Sequence, residues 1–254
     1  MLTLLSPAKK LLNFKKSLEI ETTRPIFQEK TADLVALMKS KSAQEISLLM
    51  NLSPELANLN YQRYQDFSNA PSALQAYPAI YLFQGDVYKG LDVSKWDKRT
   101  LAFANKHLFI LSGLYGLINS LALIQPYRLE MGTRLKTSLG GNLYDYWTEA
   151  ISTELNKCLS SMSNPMLINL ASIEYFKVIN QNLIEFPIIT IHFKEQLKGQ
   201  MKVIGIHAKR ARGAIASYIM ENQLDEPESI KDFKGLGYRY AINESDKNNY
   251  VFIR

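Results

Sequence analysis

Four short apolar runs constrain what this chain can fold into: Leu2–Leu5, Leu108–Leu111, Met166–Leu170 and Ile188–Phe193. Each is too short for an ordinary helix, is dominated by Leu and Ile, and is bounded by Pro, Gly or charge, which reads as strand. Strands that are nearly continuously apolar need cover on both faces, and helical stretches between them supply it. Those stretches are Thr31–Met38, Ala43–Met50, Pro54–Asp66, Trp96–Asn105, Leu143–Met162 and Ala208–Gln223. Ala79–Phe83 and Met201–Ile206 also read as strands, and Tyr238–Ile242 with Tyr250–Ile253 as a closing hairpin. Only the polar gap Lys194–Gln200 separates Ile188–Phe193 from the run after it, so the sheet is expected to be partly antiparallel. The fold expected is α/β with mixed α+β character: a mixed parallel and antiparallel sheet wrapped by helices, as one domain over residues 1–254. No repeat or linker-like tract divides it.

The 46% hydrophobic and 21% charged content of the 254 residues is that of a globular protein and excludes disorder. Cys158 is the single cysteine, so an internal disulfide, a Cys-rich zinc module and a Cys-ligated iron–sulfur cluster are excluded. No metal site or cofactor is expected. The start lacks a basic stretch ahead of its apolar run, and no apolar stretch approaches the ~20 residues of a membrane span, so a soluble cytoplasmic protein without a membrane partner is expected. Nothing in the sequence fixes the oligomeric state, and a monomer is favoured.

Charge is segregated. The net charge is +6, yet residues 221–232 hold Glu221, Asp225, Glu226, Glu228 and Asp232 against Lys231 alone. The remainder is therefore strongly basic, with one block at Lys9, Lys10, Lys15 and Lys16 and another from Lys194 to Arg212. That pattern fits either a polyanionic partner or an ordinary solvated surface. In Ala43–Asp66, Ile46, Leu49 and Met50 mark an amphipathic helix, while Ser53 is placed to cap a second helix that opens on Pro54. Such a helix–hairpin–helix element (residues 43–66) can offer backbone amides to a phosphate near Asn51 and Ser53, or be plain scaffolding.

Six patches look unlike scaffold: Ser6–Lys9, Gly85–Gly90, Ser112–Gly116, Tyr127–Gly132, Asn169–Lys177 and Lys209–Gly213. Several follow strands, where open α/β sheets place ligand groups. No Walker loop, GxGxxG, GxSxG or HExxH motif is present, and a Ser–His–acid triad cannot be assembled by spacing. Lys9, Tyr127, Arg128, Glu130 and Glu174 could form an acid/base site with an anion clamp, since Glu accepts protons and Arg binds carboxylate or phosphate in bidentate fashion. Ser6, just past the first strand, joins them as a catalytic candidate. On the helix containing Lys209–Gly213, Ala208, Ala211, Ile215 and Ile219 define the buried stripe. Lys209, Arg210 and Gly213 then face away, where the glycine would admit a backbone or nucleobase. His192 and His207, in apolar runs, read as core histidines. Tyr61, Tyr64, Tyr88, Tyr115, Tyr127, Tyr175 and Tyr218 could stack on bases or simply pack.

Taken in order, LLSPAK (4–9), FQGDVYKGL (83–91), LSGLYGLI (111–118), QPYRLEMG (125–132), INLASIEYFK (168–177) and AKRARG (208–213) resemble the YaaA peroxide-stress proteins over essentially the whole chain. The chain departs from that pattern at Ile173, where Asp is frequent, and at Gln84, where some relatives carry Lys. The resemblance implies a role in limiting oxidative damage, linked to lowered intracellular free iron, and DNA binding through a basic cleft and the helix–hairpin–helix element. Two hypotheses follow. In the first, duplex or branched DNA is held by Lys9, Lys10, Lys15, Lys16, Asn51, Ser53, Arg63, Lys89, Arg128, Lys209, Arg210 and Arg212. In the second, the chain is an enzyme acting on a nucleotide or base, with Glu130 or Glu174 transferring protons and Arg128 with Lys9 holding the anion. A broad groove containing the hairpin would favour the first, and a deep pocket lined by Lys9, Arg128, Glu130 and Glu174 the second.

Overall fold

In the computed structural model, which describes residues 1–14, 18–197 and 199–254, the first apolar run forms strand β1 (Leu2–Leu5) with all four side chains buried. Successive strand side chains point to opposite faces, so burial at every position requires packing on both. After the short β2 (Lys10–Leu11) come α1 (Gln28–Lys39), α2 (Ala43–Met50) and α3 (Pro54–Gln65), with α3 packed on both of the others. Capping sets these boundaries locally. Ser42 and Glu45 form a reciprocal capping box on α2, Asn51 ends it at φ 50°, and Ser53 accepts the Leu56 amide at the start of α3.

Next come β3 (Tyr77–Pro78), α4 (Ala79–Leu82), β4 (Phe83–Gln84), α5 (Asp86–Leu91), α6 (Lys98–His107), β5 (Leu108–Ser112), β6 (Gly116–Asn119) and β7 (Leu123–Ile124). The chain closes with α7 (Leu143–Ser160), β8 (Leu167–Asn169), α8 (Ile173–Phe176), β9 (Ile188–Leu197), β10 (Gln200–Lys202), α9 (Gly205–Glu221), β11 (Arg239–Tyr240) and β12 (Asn249–Ile253). Two strand expectations are corrected. Ala79–Phe83 is mostly the helical turn α4, because a short buried apolar run has no periodicity that tells helix from strand. In Met201–Ile206 the strand ends at Lys202 and α9 begins at Gly205, leaving Val203 and Ile206 exposed.

The main sheet runs β11-β12-β9-β8-β1-β5-β6, with β10 paired to β9. Its centre, β12-β9-β8-β1-β5, is parallel, while β11, β6 and β10 pair antiparallel. The mixed sheet and the C-terminal hairpin are as the sequence indicates. β9 departs from full burial: Ile189, Ile191, Phe193 and Glu195 are buried, and the residues between them are only half-buried. Because β8, β1 and β5 are parallel neighbours, the loops that leave Asn169, Leu5 and Ser112 emerge at one edge. That edge carries the site.

Candidate functional site

Ser6, on the loop leaving β1, accepts the Ser172 amide at 2.8 Å and donates to the Ser172 hydroxyl at 3.3 Å, across 166 residues of sequence. Ser172 in turn caps α8. The Ser6 hydroxyl is therefore occupied in stitching two strand-end loops together. The loop 127–132 is laid against them. Tyr64 donates to the Arg128 carbonyl at 2.9 Å, and the Gly132 amide donates to Glu174 at 3.2 Å. Beneath it, Gly113 leaves room for the loop backbone, since a Cβ there would lie 2.3 Å from the Leu129 oxygen. Gly116 turns the β5–β6 hairpin at φ +71° against the Trp147 ring. The glycines of Ser112–Gly116 thus answer to packing and turn geometry.

These loops enclose a cleft of about 490 Å³, within the size range of small-ligand sites. Ser6, Lys9, Lys10, Tyr127, Arg128, Glu130, Glu174, Lys209 and Arg212 all line it together with Gly85–Tyr88, so five of the six sequence patches contribute directly and Ser112–Gly116 supports from below. Lys89 and Arg210 stand outside the lining; both pair with Asp86, at 3.9 and 3.3 Å. Asn51 and Ser53 lie at the opposite end of α3 from Tyr64. That is about 18 Å away at 1.5 Å per residue, and neither lines the cleft. Arg63 bonds Asn60, and burial, reinforced by repulsion from Arg128, holds its guanidinium below the usual range. Lys15 and Lys16 lie outside the described residues.

The carboxylates differ in use. Glu130 is largely enclosed, and its Oε1 receives Lys9 at 3.2 Å and the Arg128 Nη2 at 3.0 Å. Glu174 is exposed and holds the Gly132 amide, which makes it a strut between loops. Arg212 stands apart. It faces the cleft, makes no ion pair or hydrogen bond among the described residues, and is held below the ordinary arginine range by burial alone.

Gly213 does not face outward. A Cβ there would lie 1.8 Å from the Val87 carbonyl, and one at Gly90 would lie 2.0 Å from that of Arg210, so the two glycines let α5 and α9 cross in backbone contact. This crossing sets Lys209 and Arg212 beside Gly85–Tyr88. The stacking expectation changes as well. Tyr64, Tyr88, Tyr115, Tyr127 and Tyr175 are buried, and burial drives each phenol above its ordinary value. His207 lies on the first turns of α9, where it pairs with Glu195 at 2.8 Å, and His192 bonds Asn249. Sequence reading missed the roles of Tyr64 and Ser112 in holding the 127–132 loop, since no local signal links residues so far apart. Ile173 is 90% exposed beside the cleft, so its departure from the family pattern leaves packing untouched.

Loops gathered at the ends of adjacent parallel strands around a half-open cleft lined by Lys9, Lys10, Arg128, Lys209 and Arg212 define an α/β protein with a cation-lined cleft at one sheet edge. The family model described as "Peroxide stress protein YaaA" matches residues 1–244. The chain is 49% identical over 255 residues to a UPF0246 protein of Legionella pneumophila (strain Lens), covering 100% of this chain and 99% of that one. Similar relatives are UPF0246 proteins of Bordetella pertussis, 43% identical over 255 residues, and Caulobacter vibrioides, 41% identical over 254, each match covering 100% of this chain and 99% of the relative. The chain belongs to the YaaA peroxide-stress family, and this membership supports a role connected with peroxide stress. Among the described residues no helix is long and apolar enough to cross a membrane.

Proposed function

We propose that the cleft binds a phosphate-bearing nucleotide or base and that Glu130 is its proton-transfer group, as this protein's part in the peroxide-stress response. The observation that carries this reading is Arg212: a largely desolvated guanidinium without an ion pair or hydrogen bond among the described residues, facing a half-open cleft. Burying a cation without a counter-charge is costly, and a bound anion removes that cost. Glu130 is the enclosed carboxylate, with one oxygen committed to Lys9 and Arg128 and the other, Oε2, free of any bond among the described residues. A free carboxylate oxygen beside an anion clamp is the arrangement a general base needs.

Cys158 supports a non-thiol route. Burial, aided by Glu154, pushes its thiol up to about 11, whereas reaction with peroxide needs the thiolate. Lowered free iron would then be a downstream effect, since no group of three or more metal-ligating side chains occurs among the described residues.

The test is calorimetric titration with inorganic phosphate and nucleoside 5′-monophosphates. Arg212→Gln is expected to weaken binding about 100-fold, in keeping with the loss of a desolvated charged contact. Unchanged binding would sink the reading.

The exposed cations Lys9, Lys10 and Lys209 at the same opening favour a second reading, in which the cleft faces DNA and the rim carries backbone phosphates. The α2–α3 turn would form a separate contact through Asn51 and Ser53. Changing Lys209, Arg210 and Arg212 together to Gln should flatten the slope of log K against log salt by about 2, because each phosphate contact contributes about 0.9 and Arg210 is already paired with Asp86. Fluorescence anisotropy on duplex and branched DNA over a salt series measures it. An unchanged slope in the folded variant removes α9 from the DNA-binding face.

A further inference from the structure

We propose that Tyr127 donates a hydrogen bond to the uncharged part of the cleft's ligand, with Arg212 taking the anionic part, so that the ligand is a phosphate ester that also carries a neutral acceptor such as a carbonyl or ring nitrogen. This rests on the anion-site reading above and goes further by naming a second recognition point and its direction.

The direction follows from counting lone pairs. Ser112 is fully buried at the end of β5, and its Oγ accepts the amides of Tyr115 at 2.9 Å and Leu114 at 3.2 Å. A hydroxyl oxygen has two acceptor sites and one proton. Both acceptor sites are filled by the turn, so the 2.6 Å contact between Ser112 Oγ and the Tyr127 hydroxyl uses the serine's proton. Tyr127 is the acceptor there, and its own proton has no acceptor among the described residues.

Three neighbouring phenols show the contrast, while Tyr175, buried and also lining the cleft, likewise donates no hydroxyl hydrogen bond among the described residues. Tyr64 donates to the Arg128 carbonyl, Tyr88 to the Ser6 carbonyl and Tyr115 to the Gln125 carbonyl. Tyr127 is only 5% exposed, lines the cleft, and is held edge-on against Phe83 and Tyr115. A buried O–H without an acceptor is a standing cost that a ligand atom would remove. Sequence proximity to Arg128 and Glu130 puts this donor on the same loop as the anion clamp and the free Glu130 oxygen.

Tyr127→Phe removes the hydroxyl and keeps the ring. Binding is measured by calorimetry with two probes: inorganic phosphate, and the 5′-monophosphates of guanosine, adenosine, uridine and cytidine. The variant is expected to bind phosphate within twofold of wild type and the best-bound nucleotide at least tenfold more weakly. If wild type binds phosphate but Tyr127→Phe keeps full nucleotide affinity, or loses both probes equally, this proposal falls while the anion site stands. The proposal also falls if no nucleotide binds wild type more tightly than phosphate does. If wild type fails to bind phosphate at all, the anion-site reading itself fails. Should Tyr127→Phe not fold, a fluorotyrosine at position 127 keeps the shape and acidifies the phenol. A more acidic phenol donates a stronger hydrogen bond, so nucleotide affinity at neutral pH should rise while phosphate affinity stays unchanged, and an unmoved or lowered nucleotide affinity overturns the proposal.

Discussion

Two carboxylates, Glu130 and Glu195, are bonded alike and surrounded differently. Glu130 Oε1 gathers Lys9 and Arg128, and Glu195 Oε1 gathers His207 at 2.8 Å with Tyr238 and Arg254 at 3.1 Å each. Around Glu195, itself on β9, the donors come from α9, the segment before β11 and the last residue of the chain, and they close on one another. That centre is a knot that ties the C-terminus to α9. Around Glu130 the balance is left open, because Arg212 faces the same cleft without a partner among the described residues and, in the proposal above, Tyr127 keeps its proton for a ligand. Polar clusters that satisfy themselves hold a fold together. One left incomplete at an opening is suited to completion from outside.

The sharpest way to break this comparison is to remove ionisation from each carboxylate in turn. Glu130→Gln keeps size and hydrogen bonding, and it is expected to abolish protection of cells against hydrogen peroxide while any binding to DNA is unchanged. Its cost to folding should be about 1–3 kcal/mol, because exposed Lys9 is screened but the largely buried Arg128 loses its counter-charge. Full protection by the variant would end the case for Glu130 as the proton-transfer group.

Glu195→Gln should cost stability without touching the site. It leaves Arg254 without its counter-charge, and a loss of about 1–3 kcal/mol in urea unfolding is expected, with ligand binding unaltered. A stable variant with impaired binding would mean that the C-terminal knot belongs to the site.

The smallest effect is in acid. Burial by itself would raise the Glu195 carboxyl, but hydrogen bonds from His207, Tyr238 and Arg254 outweigh it and hold the group below its ordinary value. A carboxyl lowered in the folded state contributes stability that is present above its unfolded value, about 4.3, and that disappears as pH falls through the folded one. Wild type should therefore lose stability more steeply than Glu195→Gln below about pH 4. Parallel acid profiles for the two proteins would show that Glu195 contributes nothing through its charge.

What could be read from the sequence was local. Ser53 and Pro54 start α3 where the sequence places them, because an N-cap reaches only three residues along the chain. β1, β5 and β8 were legible from continuous apolar runs, and those runs also showed that both faces of the sheet are covered. The six patches were visible as residues suited to chemistry, and family resemblance ordered them. Tertiary structure decided what each patch is for. Gly90 and Gly213 are a helix crossing, Gly113 seats a loop, and Ser6 is a stitch to Ser172, all of them contacts between residues far apart in the chain. The parallel register of β8, β1 and β5 is what brings their loops to one edge, and the crossing of α5 and α9 turns Arg212 into the cleft. Pattern and capping act over a few residues. Which charges find partners, and which are left open to a ligand, depends on contacts that only the assembled sheet and its packed helices create.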